Sequence, residues 1–240
     1  MNGTANGVTR WLGGTAVVAV ALTAYLGLEV SPPDVVQGQL VRLIYVHPAV
    51  ALACYVGFGL CAVASLAYLW PRTRSRRWDR LAAASAEVGV VFCVLTLVTG
   101  SIWGRASWGV WWTWDARLTL TALLLAVFIG YLALRRTGGD PESRAKRSAT
   151  VAVVSALLVP VDHEATTWWQ TLHQPDTFLR SNPLIHGVQL WTMLLSFVAV
   201  GLVFSWLLVH RYRVEVLEDR FEEEGFATAI AERRAEGVSS

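Results

Sequence analysis

The chain has 240 residues, 54% of them hydrophobic and only 16% charged, with a net charge of +2 and a mean hydropathy of +0.45. Soluble domains carry roughly 25% charged residues, so this composition excludes a water-soluble domain and points to a membrane protein. No nucleic-acid partner is expected.

Low-charge runs long enough to cross ~30 Å of hydrocarbon at ~1.5 Å per residue recur along the chain, and they predict an all-α bundle of six transmembrane helices. The first covers residues 14–30. Only Arg10 precedes it among basic residues, and Ser31-Pro32-Pro33 follows it in place of a small-residue cleavage site, so it is expected to remain as a span. The second covers residues 47–70 and the third 81–103. Cys54, Cys61 and Cys93 all fall inside these two, without a CxxC pair, and read as buried structural thiols. Glu87 is a carboxylate within the third span, which calls for either a function or a hydrogen bond to a neighbouring helix.

After the third span comes the densest feature of the sequence. Residues 103–114 hold Trp103, Trp108, Trp111, Trp112 and Trp114, five of the twelve tryptophans, and end at Asp115. The fourth span follows at 118–134, then a turn at Gly138-Gly139-Asp140-Pro141, then a fifth span at 150–169. Asp162-His163-Glu164 places three ionisable residues in a row near the end of the fifth, where they need partners or a water-filled cavity. The sixth span covers 186–209. Residues 1–210 therefore read as one membrane domain, and 211–240, with mixed acids and bases, as a solvated cytoplasmic helix that frays at its end.

Charge sets the orientation. Arg10, five arginines between spans two and three, five basic residues between spans four and five, and five arginines after span six make sixteen on one side. Arg42, Arg105, Arg117 and Arg180 are the four on the other. Positive charge marks the cytoplasmic side, so both termini are expected there, with the tryptophan loop outside. His47, His163, His173 and His186 gather on that outer side, and only His210 is cytoplasmic.

Isolated histidines on separate helix ends could supply two axial ligands to a planar macrocycle, or could simply be polar residues at the membrane interface. His47 and His173, beside the tryptophans, are the stronger pair, and His186 is the weakest candidate. The tryptophans could form an aromatic belt. Their density, and the interleaved Gly104, Ala106 and Gly109, favour a surface that a flat ligand approaches closely. Spacings of three and four would put Trp108, Trp111 and Trp112 on one face of a short interfacial helix. Asp115 can cap the fourth span, a role compatible with a function. Arg105 and Arg117 can pair with ligand carboxylates or reach lipid phosphates.

Trp103-Gly104, followed by Trp108-Gly109-Val110-Trp111-Trp112-Thr113-Trp114-Asp115-Ala116-Arg117-Leu118-Thr119, resembles the WGxxWxWD signature of the heme-handling membrane proteins. Within them it is most similar to the cytochrome c maturation protein C (CcmC, heme exporter protein C) family. Arg42-Leu43-Ile44-Tyr45-Val46-His47, Trp168-Trp169-Gln170-Thr171-Leu172-His173-Gln174 and the six-span length agree with it. The resemblance covers nearly all of the chain except the C-terminal tail. CcmF-type and CcsA-type heme ligation proteins share the motif, but they are longer and have extra spans.

The resemblance implies that heme b is held at the outer face of the bacterial cytoplasmic (inner) membrane and passed to the heme chaperone CcmE. It also implies a complex with the ABC-transporter-like subunits CcmA and CcmB and with CcmD. It makes His47 and His173 the axial iron ligands, and residues from Trp103 to Asp115 the contact surface for heme and chaperone. Arg105 or Arg117 would then pair with the propionates. No enzymatic turnover is expected. Two rivals are a b-type electron-transfer subunit, whose ligands lie deep in spans, and a transporter moving heme across the bilayer, which needs a polar path between helices.

Overall fold

Helices satisfy their own backbone hydrogen bonds inside hydrocarbon, and this chain uses little else. In a computed structural model that describes residues 6–173 and 185–238, there is no β-strand, only an isolated bridge between Asp34 and Gly38.

Helix α1 (Gly7–Tyr25) starts at a reciprocal cap between Asn6 and Thr9 and runs on through a widened turn at Leu26–Val30. The following loop turns on Asp34, whose Oδ1 accepts from the N–H groups of Gln37 at 2.7 Å and Val36 at 2.8 Å. Those two donors hold its carboxyl below the usual carboxylate range. A tight helical turn at Gln39–Tyr45 leads into α2 (His47–Leu69), which has Pro48 in its first turn, where the missing N–H costs nothing. Helix α3 (Arg76–Trp108) has 33 residues, or ~50 Å at ~1.5 Å per residue, so its ends project beyond a bilayer core. Asp115 caps α4 (Ala116–Arg135) and Asp140 caps α5 (Pro141–Ala156).

Five helical stretches among the described residues are long and apolar enough to cross a membrane: Gly7–Val30, Gln39–Leu69, Arg76–Trp108, Ala116–Arg135 and Gly187–Phe221. They cover the first, third and fourth expected spans in full and the second and sixth to within one residue at an end. The fifth is not a continuous helix. It is made of α5, α6 (Leu158–His163) and the single turn α7 (Ala165–Trp168). The cause lies in the sequence: Pro160 has no N–H to give to the carbonyl of Ala156, and its ring would clash there. Helix α5 stops at Ala156. The broken run still lies antiparallel along α4, with Glu142 near the Arg74 end and Asp162 beside Arg117.

The core sits among α2, α3, α4, α5 and α8 (Gly187–Val238). Phe58 and Phe128 stack at 3.7 Å between ring centres, and both are fully buried with Leu124 and Tyr131. Helices α2 and α3 meet glycine to glycine. A Cβ at Gly57 would lie 2.7 Å from the Cα of Gly89, closer than carbon atoms pack. Cys54, Cys61 and Cys93 are buried free thiols, as expected.

Ion pairs gather at the end of the bundle opposite the tryptophans. Arg135 grips Asp79 through two bonds of 2.6 and 2.9 Å. Arg211 binds Glu87 through Nη2 at 2.7 Å and through Nε. Glu87 thus takes the helix-to-helix role. Helix α8 continues unbroken past residue 210, and Arg80 reaches its Asp219 at 2.6 Å. The first turns of the expected tail are therefore tied to the bundle.

Replacing Gly57 by leucine should drive α2 from α3 and lower stability by at least about 1–3 kcal/mol. A thermal melt of the detergent-solubilised protein should show this, with Gly59→Leu, whose Cβ meets nothing within 4 Å, as the tolerated control.

Candidate ligand-binding site

At the end of the bundle carrying the tryptophans, α2, α3 and α4 splay apart around a cavity of about 730 Å³. Ligand pockets run from roughly 300 to 1,000 Å³, so there is room for a large planar molecule. Its α3 wall is a stripe of small, polar and aromatic residues, Thr96, Gly100, Trp103 and Ser107. Their spacing of four, three and four puts them on one helix face. Leu40, Ile44, Leu52, Leu97 and Phe197 make an apolar side. Tyr55, Thr121, Arg117 and His163 make a polar one.

His47 and His173 both face this space, with ring centres 6.1 Å apart. His47 opens α2 and fits against α3 only because residue 100 is glycine: a Cβ there would lie 2.9 Å from His47 Cε1. Trp103 packs edge-on against His47 at 5.8 Å, and Trp108 against His173 at 6.4 Å. The tautomer of His47 follows from its neighbour. Thr99 Oγ1 lies 2.7 Å from the carbonyl of Leu95, to which it donates, and 3.0 Å from His47 Nδ1. With its proton committed to Leu95, Thr99 accepts from Nδ1–H, which leaves the Nε2 lone pair of His47 free, the form in which imidazole binds a metal.

The structure divides the expected site residues. His47, His173, Trp103, Trp108, Trp112 and Arg117 line the cavity. Arg105, Trp111, Trp114 and Asp115 are not among its lining residues. Trp111 and Trp114 are 59% and 82% exposed. The interfacial helix expected for Trp108, Trp111 and Trp112 does not form. Trp108 ends α3, Gly109 takes the left-handed conformation at φ 79°, and residues 110–115 form an irregular loop. Ser101 anchors that loop by donating to the carbonyl of Trp111 at 2.7 Å. Arg105 spends its guanidinium on the carbonyl of Gly109. Trp112 is different: its buried Nε1 has no hydrogen-bond partner among the described residues, which leaves a donor beside the cavity.

Asp115 acts from behind. One carboxylate oxygen caps α4 by accepting from Leu118 N at 2.9 Å, and the other accepts from Leu172 N at 3.2 Å. The residue next to His173 is thus tied to the start of α4. His186 is exposed and lies away from the cavity lining. Gln174, next to His173, and Arg180 fall outside the described residues.

Sequence reasoning did not single out Tyr55, Thr96, Thr99, Gly100 or Thr121. The small and polar stripe on an otherwise apolar third span was the available signal for Thr96, Gly100 and Ser107. Tyr55 and Thr121 are visible only once three helices are assembled.

Fold and site together define a multi-pass helical membrane protein with a half-open cavity flanked by two imidazoles. The chain belongs to the heme exporter protein C family, whose sequence profile, CcmC, matches residues 1–226. It is 35% identical over 216 residues to the heme exporter protein C of Bradyrhizobium diazoefficiens, covering 89% of this chain and 80% of that one. The Haemophilus influenzae heme exporter protein C is 33% identical over 195 residues, 80% of this chain and 78% of the relative. A putative cytochrome c biosynthesis ccmC-like mitochondrial protein of Arabidopsis thaliana is 31% identical over 204 residues, 85% and 77% of the two chains.

Asp115→Ala should cost about 1 kcal/mol through the lost cap and also release Leu172. Amide hydrogen exchange should speed up at both Leu118 and Leu172. Acceleration at Leu118 alone would show that the second tie carries no weight.

Proposed function

We propose that the protein holds heme b between His47 and His173 at the outer face of the bacterial cytoplasmic membrane and delivers it to the heme chaperone CcmE during cytochrome c maturation. The observation that carries this is the pair of imidazoles 6.1 Å apart on one cavity. A metal–imidazole bond is about 2 Å long, so His47 and His173, at this separation, would both be within reach of one iron atom held between them. Among the described residues no group of three His, Cys, Asp or Glu could hold a bare metal ion. His47 and His173 alone would suffice to hold an iron whose other donors come from a macrocycle.

The donor set suits this cargo. Trp103 and Trp108 offer indole edges and faces beside the imidazoles, the orphan Nε1–H of Trp112 offers a donor, and the Leu40, Ile44 and Phe197 side offers apolar surface. Arg117 lines the polar side, but its Nη1 is committed to the carbonyls of Asp162 and His163, so only the rest of its guanidinium is left to meet a propionate. Arg105 is turned to its own helix end. Thr99 holds His47 in the ligating tautomer, and Asp115 holds the backbone beside His173. Orientation of this kind contributes by proximity rather than by bond-making on the protein, which fits a non-enzymatic handling role.

We further propose six crossings, with the broken α5–α7 run as the fifth, both termini cytoplasmic, and assembly with CcmA, CcmB and CcmD. The antiparallel course of α5–α7 along α4 and the sixteen-to-four distribution of basic residues support this. Exposed Trp111 and Trp114, beside the cavity mouth, suit a partner or lipid surface.

The two rival readings fit less well. His47 opens α2 and His173 lies in the loop after α7, neither of them deep in a span, against a permanent electron-transfer heme. A path across the bilayer would have to pass the layer one turn deeper, where Phe58, Phe92, Leu124 and Phe128 are 0–3% exposed and close-packed.

The visible spectrum of the purified protein, oxidised and reduced, tests the ligand assignment. Wild type should be low-spin, and His47→Ala and His173→Ala should each lose that spectrum or the heme itself. Unchanged spectra and heme content in both would remove the assignment. Thr99→Val keeps shape but removes the acceptor, and should weaken heme retention by about 10–100-fold, the usual cost of losing an outer-shell partner. Titration with hemin would measure it.

A further inference from the structure

Asp162 plays no part in the ligand reading above, yet it is fully buried beside the cavity. Tyr55 Oη donates to its Oδ2 at 2.8 Å, and Thr121 Oγ1 lies 3.1 and 3.2 Å from its two carboxylate oxygens. Arg117 adds charge and reach. Its Nε is 4.0 Å from Asp162 Oδ1, and its Nη1 donates to the main-chain carbonyls of Asp162 at 2.7 Å and His163 at 2.8 Å. Those carbonyls belong to the last residues of α6, where the helix ends at Glu164 and its regular ladder of hydrogen bonds stops.

These four residues come from three elements. Tyr55 is on α2, eight residues after His47. Arg117 and Thr121 are on α4, whose cap Asp115 binds Leu172 N. Asp162 is on α6, eleven residues before His173. A segment this short and this broken has little helix of its own to fix where His173 goes. The buried carboxylate fixes the upstream end of that segment, and Asp115 fixes the downstream end.

The chemistry suits registration more than adhesion. A buried ion pair is often no more stabilising than an apolar filling of the same shape. A carboxylate, however, takes donors only along its lone-pair directions, so the α6 segment that carries it is held in one position relative to the two helices, α2 and α4, that deliver the donors. We infer that Asp162, through Tyr55 and Arg117, is a positioning residue that sets the separation of His47 and His173 by locking the His173 segment to the helix of His47. This rests on the reading of those two histidines as the ligands.

The test uses the full-length protein in detergent, with Tyr55→Phe, Asp162→Asn and His173→Ala beside wild type. In the heme-free protein, amide exchange over residues 165–173 should accelerate by about tenfold or more in Tyr55→Phe and Asp162→Asn, as expected when a hydrogen bond to a charged group is lost. Exchange within α2 should be unchanged. In the heme-loaded protein, both variants should convert part of the low-spin spectrum to a high-spin, five-coordinate one, which added imidazole restores. Wild-type exchange or a wild-type spectrum in folded variants would overturn the inference. Should Asp162→Asn fail to fold, Tyr55→Phe, which removes one hydroxyl, decides alone. If His173→Ala changes the spectrum while the other two do not, only the positioning role fails. If His173→Ala also leaves it unchanged, the ligand assignment fails and the positioning role falls with it.

Discussion

Inside hydrocarbon no water is present to satisfy a free carbonyl or N–H, and each orphan costs several kcal/mol. That constraint governs the least regular part of this molecule. Pro160 breaks the fifth helix at Ala156, and a second break follows at Glu164. At the second break Arg117 turns inward from α4 and donates to the carbonyls of Asp162 and His163. Arginine suits the task because its planar fork offers several fixed donors and never loses its charge. The charge in turn requires a buried counterion, which Asp162 provides. The irregularity and the polar wall of the cavity are thus one structure, since the residues that satisfy the break also line the space beside it.

A second constraint is closeness. His47 lies against α3 at Gly100, and α2 meets α3 at Gly57 and Gly89. Any side chain at these positions would separate the two helices that form most of the cavity wall. Once α2 is docked, His47 has one place to be, and Thr99 fixes its proton. Trp103 then fills the edge of the imidazole and is itself held through Nε1 by Gln37, 3.2 Å away, whose own turn is set by Asp34. The ordering runs from small residues to helix contact, from helix contact to imidazole, and from imidazole to the indole that flanks it.

Much of this was legible in the sequence because hydrophobic length and a Trp-rich motif are local signals. The helices containing spans one to four and six fell where low charge placed them, and Asp115 capped α4 as its position suggested. The convergence of His47, His173, Trp103, Trp108, Trp112 and Arg117 on one cavity follows from topology, since alternate span ends share a side. What the sequence concealed was mostly three-dimensional. Pro160 was available as a warning, but a hydropathy window averages over it. The helical spacing of Trp108, Trp111 and Trp112 misled because Gly109 reverses the backbone between them. Arg105 and Arg117 look equivalent as letters, yet one sits on the last turn of α3 and bonds its own helix end while the other faces a buried acid. Tyr55 and Thr121 carry no motif at all, and their meaning comes only from the carboxylate that three elements share.

The two imidazoles are also held very differently. His47 is the first residue of a 23-residue helix whose next turns are in the core. His173 follows a helix of four residues and is placed by side-chain bonds at either end of a short segment. Local opening free energies follow buried contact and hydrogen bonding, so moving His47 means disturbing α2 and α3, whereas moving His173 means breaking a few polar contacts at the cavity mouth. A protein that keeps its ligand permanently gains nothing from such an imbalance. A protein that must first bind a planar cargo firmly and then let it go is served by one fixed ligand and one that can be withdrawn. If His173 is the ligand that is withdrawn, as proposed above, the polar clamp around Asp162 matters as much as the histidines, because its strength would set how much work that withdrawal takes.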